Sequence, residues 1–340
     1  MKRNATIVDI AAHLGITPSA VSKAFSDHPR ISAETKAKVV QAAIQLGYVP
    51  NGMATGLRKG RSGLIGVVVP GINYSFFSTA IKGIEEQVTV RGYNVLIVQS
   101  RDSFEVEKNQ LQNLLRAQVE GIIASIAINT KNYTAFKEVA GRVPLVLFDR
   151  TFARSGLSEV TIDDFQAAVV AVEHLISMGY KRIAHIAGLS HMRPFSKRIE
   201  GYKYALNKHG IPGQQEYIIE CAPNSNEGEF ATEQLLNLNQ PPDAIFAASD
   251  YLAYGALQIA LKNGYRVPDD LGLVGFSNEE FSGQITPSIS TIEQYSERLG
   301  STAANLLIDQ LTFEKKGKKY PAHKIVITPK LIIRQSSLRI

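Results

Sequence analysis

The stretch GITPSAVSKAF, Gly15 to Phe25, joins a glycine to a Thr-Pro pair and then to apolar residues at helical spacing. Gly15 can supply the left-handed backbone that ends a preceding helix, and Thr17 with Pro18 reads as an N-cap followed by a first helical position. On the helix that starts there, Val21, Ala24 and Phe25 form an inner stripe. Pro18, Ser19, Ser22, Lys23 and Ser26 are left facing outward. Upstream, Thr6 and Asp9 have the Thr-x-x-Asp spacing of a capping box, and Ile7, Ile10, Ala11 and Leu14 recur at helical intervals. Two short helices joined by a glycine-containing turn make a helix-turn-helix unit. A third helix, from about Ala33 to Leu46, capped by Ser32 and closed by Gly47, is expected to bury Val39, Val40, Ala43 and Leu46 and to complete an all-α core.

The charge is placed to match. The 340 residues carry a net charge of +6, and residues 1–61 hold nine basic residues against three acids, whereas the other 279 hold 28 of each sign. A basic module on an electrically balanced body is the footprint of a polyanion-binding head. Residues 1–50 therefore read as a DNA-binding module. The segment 51–61 follows Pro50 and offers Asn51 as a cap, then Met53, Ala54 and Leu57, then Arg58, Lys59 and Arg61. Two glycines make it a poor helix in isolation, so it reads as a linker and hinge helix that orders against a partner. A single cysteine, Cys221, excludes an intrachain disulfide and any multi-cysteine metal site. No cofactor or metal is expected. No apolar run approaches the roughly 20 residues that span a bilayer, and the N-terminus lacks the pattern of a secretory signal, so a cytoplasmic protein is expected.

From Leu64 the pattern changes to short apolar runs alternating with amphipathic helices: LIGVVVP, NVLIVQS, GIIASI and PLVLFDR in one series, RIAHIAG, EYIIE, AIFAAS and LGLVGFS in a second. Continuous apolar strands between helices are what parallel sheets covered on both faces require. Two α/β doubly wound parallel-sheet lobes are expected. The first comprises 62–162 and 292–320, and the second 163–291 and 321–340. Ser158 to Asp163 reads as the break where the chain passes between lobes, and HKIVITPKLIIR as one further strand. Ligands of such sheets bind beyond the carboxyl ends of the strands. The loops there carry aromatic, amide, carboxylate and guanidinium groups, which suit a polyhydroxylated or heteroaromatic small molecule. Within them Asp250 can also be a helix cap, Asp149 can pair with Arg150, and Phe76 or Phe77 can be core. The sequence contains no GxGxxG, GxxxxGK[ST] or GxSxG motif, and Asp149, His185 and Ser190 have no triad spacing, so no enzyme activity is expected.

Taken together, residues 6–57, TIVDIAAHLG through NGMATGL, closely resemble the N-terminal module and hinge of LacI/GalR-family transcriptional regulators. "SGLIGVVVP", "EGIIAS", "HLISMGYKRIAHIAG", "RIEGYKYAL" and "VPDDLGLVGFSNEEFSGQITPSISTIEQ" extend the resemblance over essentially the whole chain. It implies a periplasmic-binding-protein-like body and a homodimer. That dimer would act as a repressor, reading the half-sites of a pseudo-palindromic operator in double-stranded DNA under control of a small-molecule effector, a carbohydrate or its derivative. Pro18, Ser19 and Lys23 would then face base edges and Thr17 and Ser22 phosphates, and Asn51, Leu57 and Arg58 are the hinge's DNA-binding candidates, with Leu57 wedged into the minor groove and Arg58 following it along the groove. The strand-end loops offer Asn73 to the effector, and the resemblance adds Arg198, with Phe76, Phe77, Asp149, Ser249 and Asp250 on or beside other cleft positions and Ser277 in the motif Gly275-Phe276-Ser277-Asn278. Ser277 stands where the family commonly has an aspartate. With Arg198 facing no such aspartate, an acidic sugar or sugar phosphate is expected. The absence of apolar heptads near the C-terminal end predicts a dimer without a coiled-coil tail. The competing reading is a cytoplasmic sensor or binding protein without operator recognition.

Overall fold

The computed structural model describes residues 5–48, 61–152, 155–314 and 320–339. The chain folds as two compact units, Met1–Ser62 and Gly63–Ile340. In the first, helices α1 (Ile7–Leu14), α2 (Pro18–Phe25) and α3 (Ala33–Gln45) enclose a core of Ile10, Ala11, Val21, Ala24, Val39, Ala42 and Ala43. Each start is fixed locally. Thr6 and Asp9 form the reciprocal capping box, Thr17 Oγ1 accepts from Ala20 N at 3.2 Å, and Ser32 Oγ accepts from Thr35 N at 3.2 Å. Gly15 ends α1 at φ 63°, the left-handed conformation expected of it. Val40 departs from expectation: it is 50% exposed, and Ala42 takes the inner position because the three-helix contact selects the stripe of Val39, Ala42 and Ala43.

The second unit carries two parallel sheets. One contains β1 (Leu64–Val69), β2 (Asn94–Gln99), β3 (Gly121–Ala124), β4 (Leu145–Phe148), β5 (Ser158–Ile162) and β11 (Lys324–Ile327), in the order β11-β5-β4-β3-β1-β2. The other contains β6 (Ile183–Ala187), β7 (Ile218–Glu220), β8 (Ala244–Ala247) and β9 (Gly272–Val274), in the order β7-β6-β8-β9. Their interior strands are buried, apart from a half-buried Leu64 at the start of β1, as helices on both faces demand. Helices α4 (Ser75–Thr89) and α12 (Ser296–Glu314) pack at close range on the first sheet, where a Cβ at Gly83 would lie 2.2 Å from Glu297 O. Helices α7 (Asp164–Ser177) and α8 (Arg193–Lys208) do the same on the second, where Gly201 faces Phe165 O. Helix α10 (Asp250–Lys262) follows β8.

Two expectations are corrected. The passage expected at Ser158–Asp163 contains a buried strand, Ser158–Ile162, and the chain crosses only after it; the strand's polar side chains are matched from afar: Ser158 Oγ accepts from Gln310 Nε2 at 2.7 Å, and Glu159 pairs with Arg193 and Lys324 at 2.8 and 3.0 Å. HKIVITPKLIIR is two strands. β11 pairs with β5 in the first sheet, so 324–327 leaves the second lobe to which 321–340 was assigned. β12 (Lys330–Ile332) instead forms an antiparallel ribbon with β10 (Thr291–Glu293). The chain thus passes between the lobes after Ile162, at β10 and at β12.

Candidate DNA-reading face and ligand cleft

On α2 the apolar stripe packs inward and Thr17, Pro18, Ser19 and Lys23 are exposed, with Ser22 half-buried. Thr17 is engaged by its own cap. Nearby cations differ in their pairing: Lys36 meets Asp27 at 2.5 Å and Lys38 meets Glu34 at 2.7 Å, whereas Lys23 has no ion partner among the described residues. Lys23 therefore presents an uncompensated cation on the face that packing does not use. Asn51, Leu57 and Arg58 lie outside the described residues.

In the second unit a cleft of about 280 Å³ opens at the carboxyl ends of both sheets. Six of the eight expected effector residues line it: Phe76, Phe77, Asp149, Arg198, Ser249 and Ser277. Phe76 and Phe77 sit on the first turn of α4, edge to face at 5.0 Å, and also belong to the core, so both readings of them hold. Asn73 is exposed and does not line the cleft. Asp250 is fully buried behind it, because Oδ1 accepts from Thr291 Oγ1 at 2.6 Å and Oδ2 from Glu279 N at 2.7 Å. The cap of α10 is Ser249, which accepts from Leu252 N at 3.2 Å, rather than Asp250. Sequence reading missed Tyr74, Asp102, Ile128, Phe195, Tyr251, Glu279 and Gln294 as individual lining groups. Most lie in or beside loops that follow strands, which was the available signal; Gln294 follows β10 and gave none.

Arg198 is 4% exposed and fully committed. It reaches Asp164 Oδ1 through Nε at 2.9 Å and Nη2 at 2.8 Å, gives Nη1 to Ala248 O at 2.7 Å, and lies 3.4 Å over the Phe276 ring. Burial lifts the Asp164 carboxyl to about 6, with Arg198 pulling against it. The premise behind an acidic ligand, an Arg198 without a carboxylate, is therefore corrected: Asp164 replaces the missing aspartate as its counter-ion. Arg150 likewise meets Asp102 at 2.5 Å. Asp149, in left-handed backbone at φ 58°, accepts from Ser125 Oγ at 3.3 Å, and burial pushes its carboxyl upward while Arg150 and Arg198 draw it back. Ser277 Oγ accepts from Gln294 Nε2 at 2.8 Å, and Gln294 Oε1 is buried with no hydrogen-bond partner among the described residues. With both guanidinium groups neutralised by carboxylates and a carbonyl oxygen in want of a donor, the cleft suits a neutral, hydroxyl-bearing ligand between aromatic walls.

Asp149, His185 and Ser190 form no triad. His185 gives Nδ1 to Phe246 O at 2.8 Å and stacks on Phe246 at 4.7 Å, and burial lowers it to about 4. Among the described residues no cluster of His, Cys, Asp or Glu is placed to hold a metal ion, and no helix is long and apolar enough to cross a membrane.

A helix-turn-helix head with a two-lobed cleft defines the class of ligand-responsive regulators of transcription. Residues 6–51 match the family of bacterial regulatory proteins of the lacI type, and residues 172–337 match a periplasmic binding protein-like domain. Catabolite control protein A of Priestia megaterium is 33% identical over 312 residues, covering 92% of this chain and 94% of its own. The transcriptional repressor CytR of Escherichia coli K12 is also 33% identical, over 98% of this chain and 96% of its own. The solved lac repressor dimer, bound to operator and the anti-inducer ONPF, superposes with a TM-score of 0.88 at 26% identity, covering 99% of this chain and 100% of that one. The chain belongs to the LacI family of transcriptional regulators, and its function is regulatory rather than enzymatic.

Proposed function

We propose that this protein is a cytoplasmic transcriptional repressor, a homodimer whose two heads read the half-sites of a pseudo-palindromic operator and whose cleft takes a neutral saccharide-like effector. The observation that carries the reading is the contrast in charge: a lysine on the outward face of α2 with no ion partner among the described residues, and paired guanidinium groups in the cleft. On this reading residues 1–50 bind DNA, 51–61 form the hinge, and the body binds effector. Pro18, Ser19 and Lys23 meet base edges, Lys23 donating to guanine O6 or N7, while Thr17 and Ser22 hold phosphates. Asn51, Leu57 and Arg58 serve the hinge, and Leu57 opens the central minor-groove step. Phe76, Phe77, Asp149, Arg198, Ser249 and Ser277 surround the effector. A solved relative of 26% identity and TM-score 0.74, covering 98% of this chain, is a CelR-cellobiose complex, which supports a carbohydrate. Effector binding shifts the balance between lobe arrangements, and with it the spacing of the two heads in the dimer.

Selection from a pool of random-sequence duplexes tests the reading. Palindromic sequences should be enriched, with affinity falling steeply as salt rises, and enrichment should be weaker in Lys23→Ala, with preference relaxed at one base pair. No enrichment at low salt would leave a sensor without operator recognition.

A further inference from the structure

Helix α4 begins without a side-chain cap from its own lobe. Its N-cap residue is Tyr74, whose side chain makes no capping hydrogen bond, although the first turn carries the Phe76 and Phe77 wall of the cleft. The acceptor comes from the other side. Glu279, in the loop after β9, receives a hydrogen bond from the Ser75 hydroxyl, and the nearby backbone N–H groups of Ser75 and Phe76 draw its carboxyl down against the lift of burial. Those two amides are among the four that an α-helix leaves unmatched at its start, and the partial positive charge there favours a carboxylate.

The carboxylate is held for this purpose. Glu279 is 5% exposed, and its own N–H is fixed by Asp250, which in turn takes the Thr291 hydroxyl. The two residues before it, Ser277 and Asn278, stand at φ 116° and 54°, and Arg334 Nη2 secures Asn278 Oδ1 at 2.7 Å. Such backbone persists where the surroundings over-determine it. Asp250, which stands behind the cleft rather than in it, thereby serves to orient Glu279. Tyr74 and Tyr251 close the same seam, edge to face at 6.0 Å.

We propose that Glu279 is a positioning residue of the cleft, a helix cap supplied across the lobes that completes the first turn of α4, and with it the Phe76–Phe77 wall, only when the lobes are closed on each other. The inference rests on the reading of this cleft as the effector site. A ligand that draws the lobes together gains the cap, and a completed wall in turn favours the ligand. Capping substitutions elsewhere imply an effect of about fivefold or more in the opening equilibrium.

Hydrogen exchange on the full-length protein, with neither ligand nor duplex added, tests it. In Glu279→Ala the amides of residues 75–77 should exchange about fivefold or more faster, while those of 84–89 on the same helix and 244–247 in β8 keep their wild-type rates. Glu279→Gln retains a carbonyl acceptor and should recover part of the protection. Ser75→Ala, which removes one donor and no acceptor, should show a smaller rise. Unchanged exchange at 75–77 in folded Glu279→Ala would overturn the proposal. So would acceleration confined to the second lobe, which would mean that Glu279 only holds its own loop. If Glu279→Ala does not fold, the same amides in Glu279→Gln decide: faster exchange there supports the cap, and wild-type exchange overturns it. A cleft that binds no saccharide would leave this result standing, and a failed cap would leave saccharide binding standing.

Discussion

The outward face of α2 and the cleft of the second unit both display polar groups that packing does not require, yet they hold their charges in opposite ways. On α2, Lys23 is exposed and carries no ion partner among the described residues, while Lys36 and Lys38 beside it are paired. In the cleft, Arg198 and Arg150 are almost enclosed, and each is matched by a carboxylate within 3 Å. An unpaired exposed cation is inexpensive in water and gains when a phosphate or a guanine edge arrives. A buried one needs its counter-ion built in, since an isolated charge costs several kcal/mol to desolvate. The head thus takes its neutralising charge from a partner, and the cleft takes its own from the fold.

The contrast breaks most visibly at Arg198. Arg198→Ala strands Asp164 in the interior, and removal of one member of a buried pair costs about 3–5 kcal/mol, less whatever Asp164 recovers by taking up a proton. Thermal unfolding of the body should drop by about 10 °C, and adding Asp164→Asn should restore part of the loss. An unchanged transition in Arg198→Ala would mean that the pair contributes nothing.

A second internal charge lies behind the cleft. Glu107 accepts from Ala127 N and Thr130 Oγ1, both at 2.6 Å, and burial pushes it up to about 7. The folded carboxyl binds its proton more tightly than the unfolded one. Its contribution is therefore fully present below about pH 4.5 and is lost as pH rises through 7, a swing of about 3 kcal/mol. Glu107→Gln should remove this dependence, so that the variant gains on the wild type in denaturant melts between pH 4.5 and 7. Parallel stability curves across that range would contradict the assignment.

On the head the effects are smaller and fall on binding. Lys23→Ala should weaken binding to a selected palindrome by about 1–3 kcal/mol and relax preference at one base pair, with the head's melting unchanged. Thr17→Ala removes the cap of α2 and should cost the head about 1 kcal/mol, visible in the melting of the N-terminal unit and absent from that of the body.

The same contrast sets how far the sequence could be read. The head is built from local signals: a capping box three residues apart, Gly15 in the turn, and Thr-Pro at the start of α2. Only the choice between Val40 and Ala42 as an inner position needed the three helices in place. The body is assembled at long range. Ser158, Glu159 and Thr161 look like a polar break, but their strand is buried, with partners at Arg193, Gln310 and Lys324. The final stretch looks like one strand until Pro329 separates a piece that joins β5 from a piece that joins β10. Apolar alternation and strand-end loops pointed to the cleft, and Phe76, Phe77, Asp149, Arg198, Ser249 and Ser277 line it. What spacing did not carry was the pairing: Asp164 beneath Arg198, 34 residues away, and Asp250 turned from the cleft toward Thr291 and Glu279.

That pairing, Arg198 with Asp164 and Arg150 with Asp102, is the ground for proposing a neutral ligand. The most direct test follows the anisotropy of a fluorescent palindromic duplex, selected by this protein, while neutral saccharides and nucleosides and then sugar phosphates are titrated into the complex. A shift in duplex affinity of about fivefold or more with a neutral compound, and none with its phosphorylated form, is the predicted result. A response to sugar phosphates alone would contradict it.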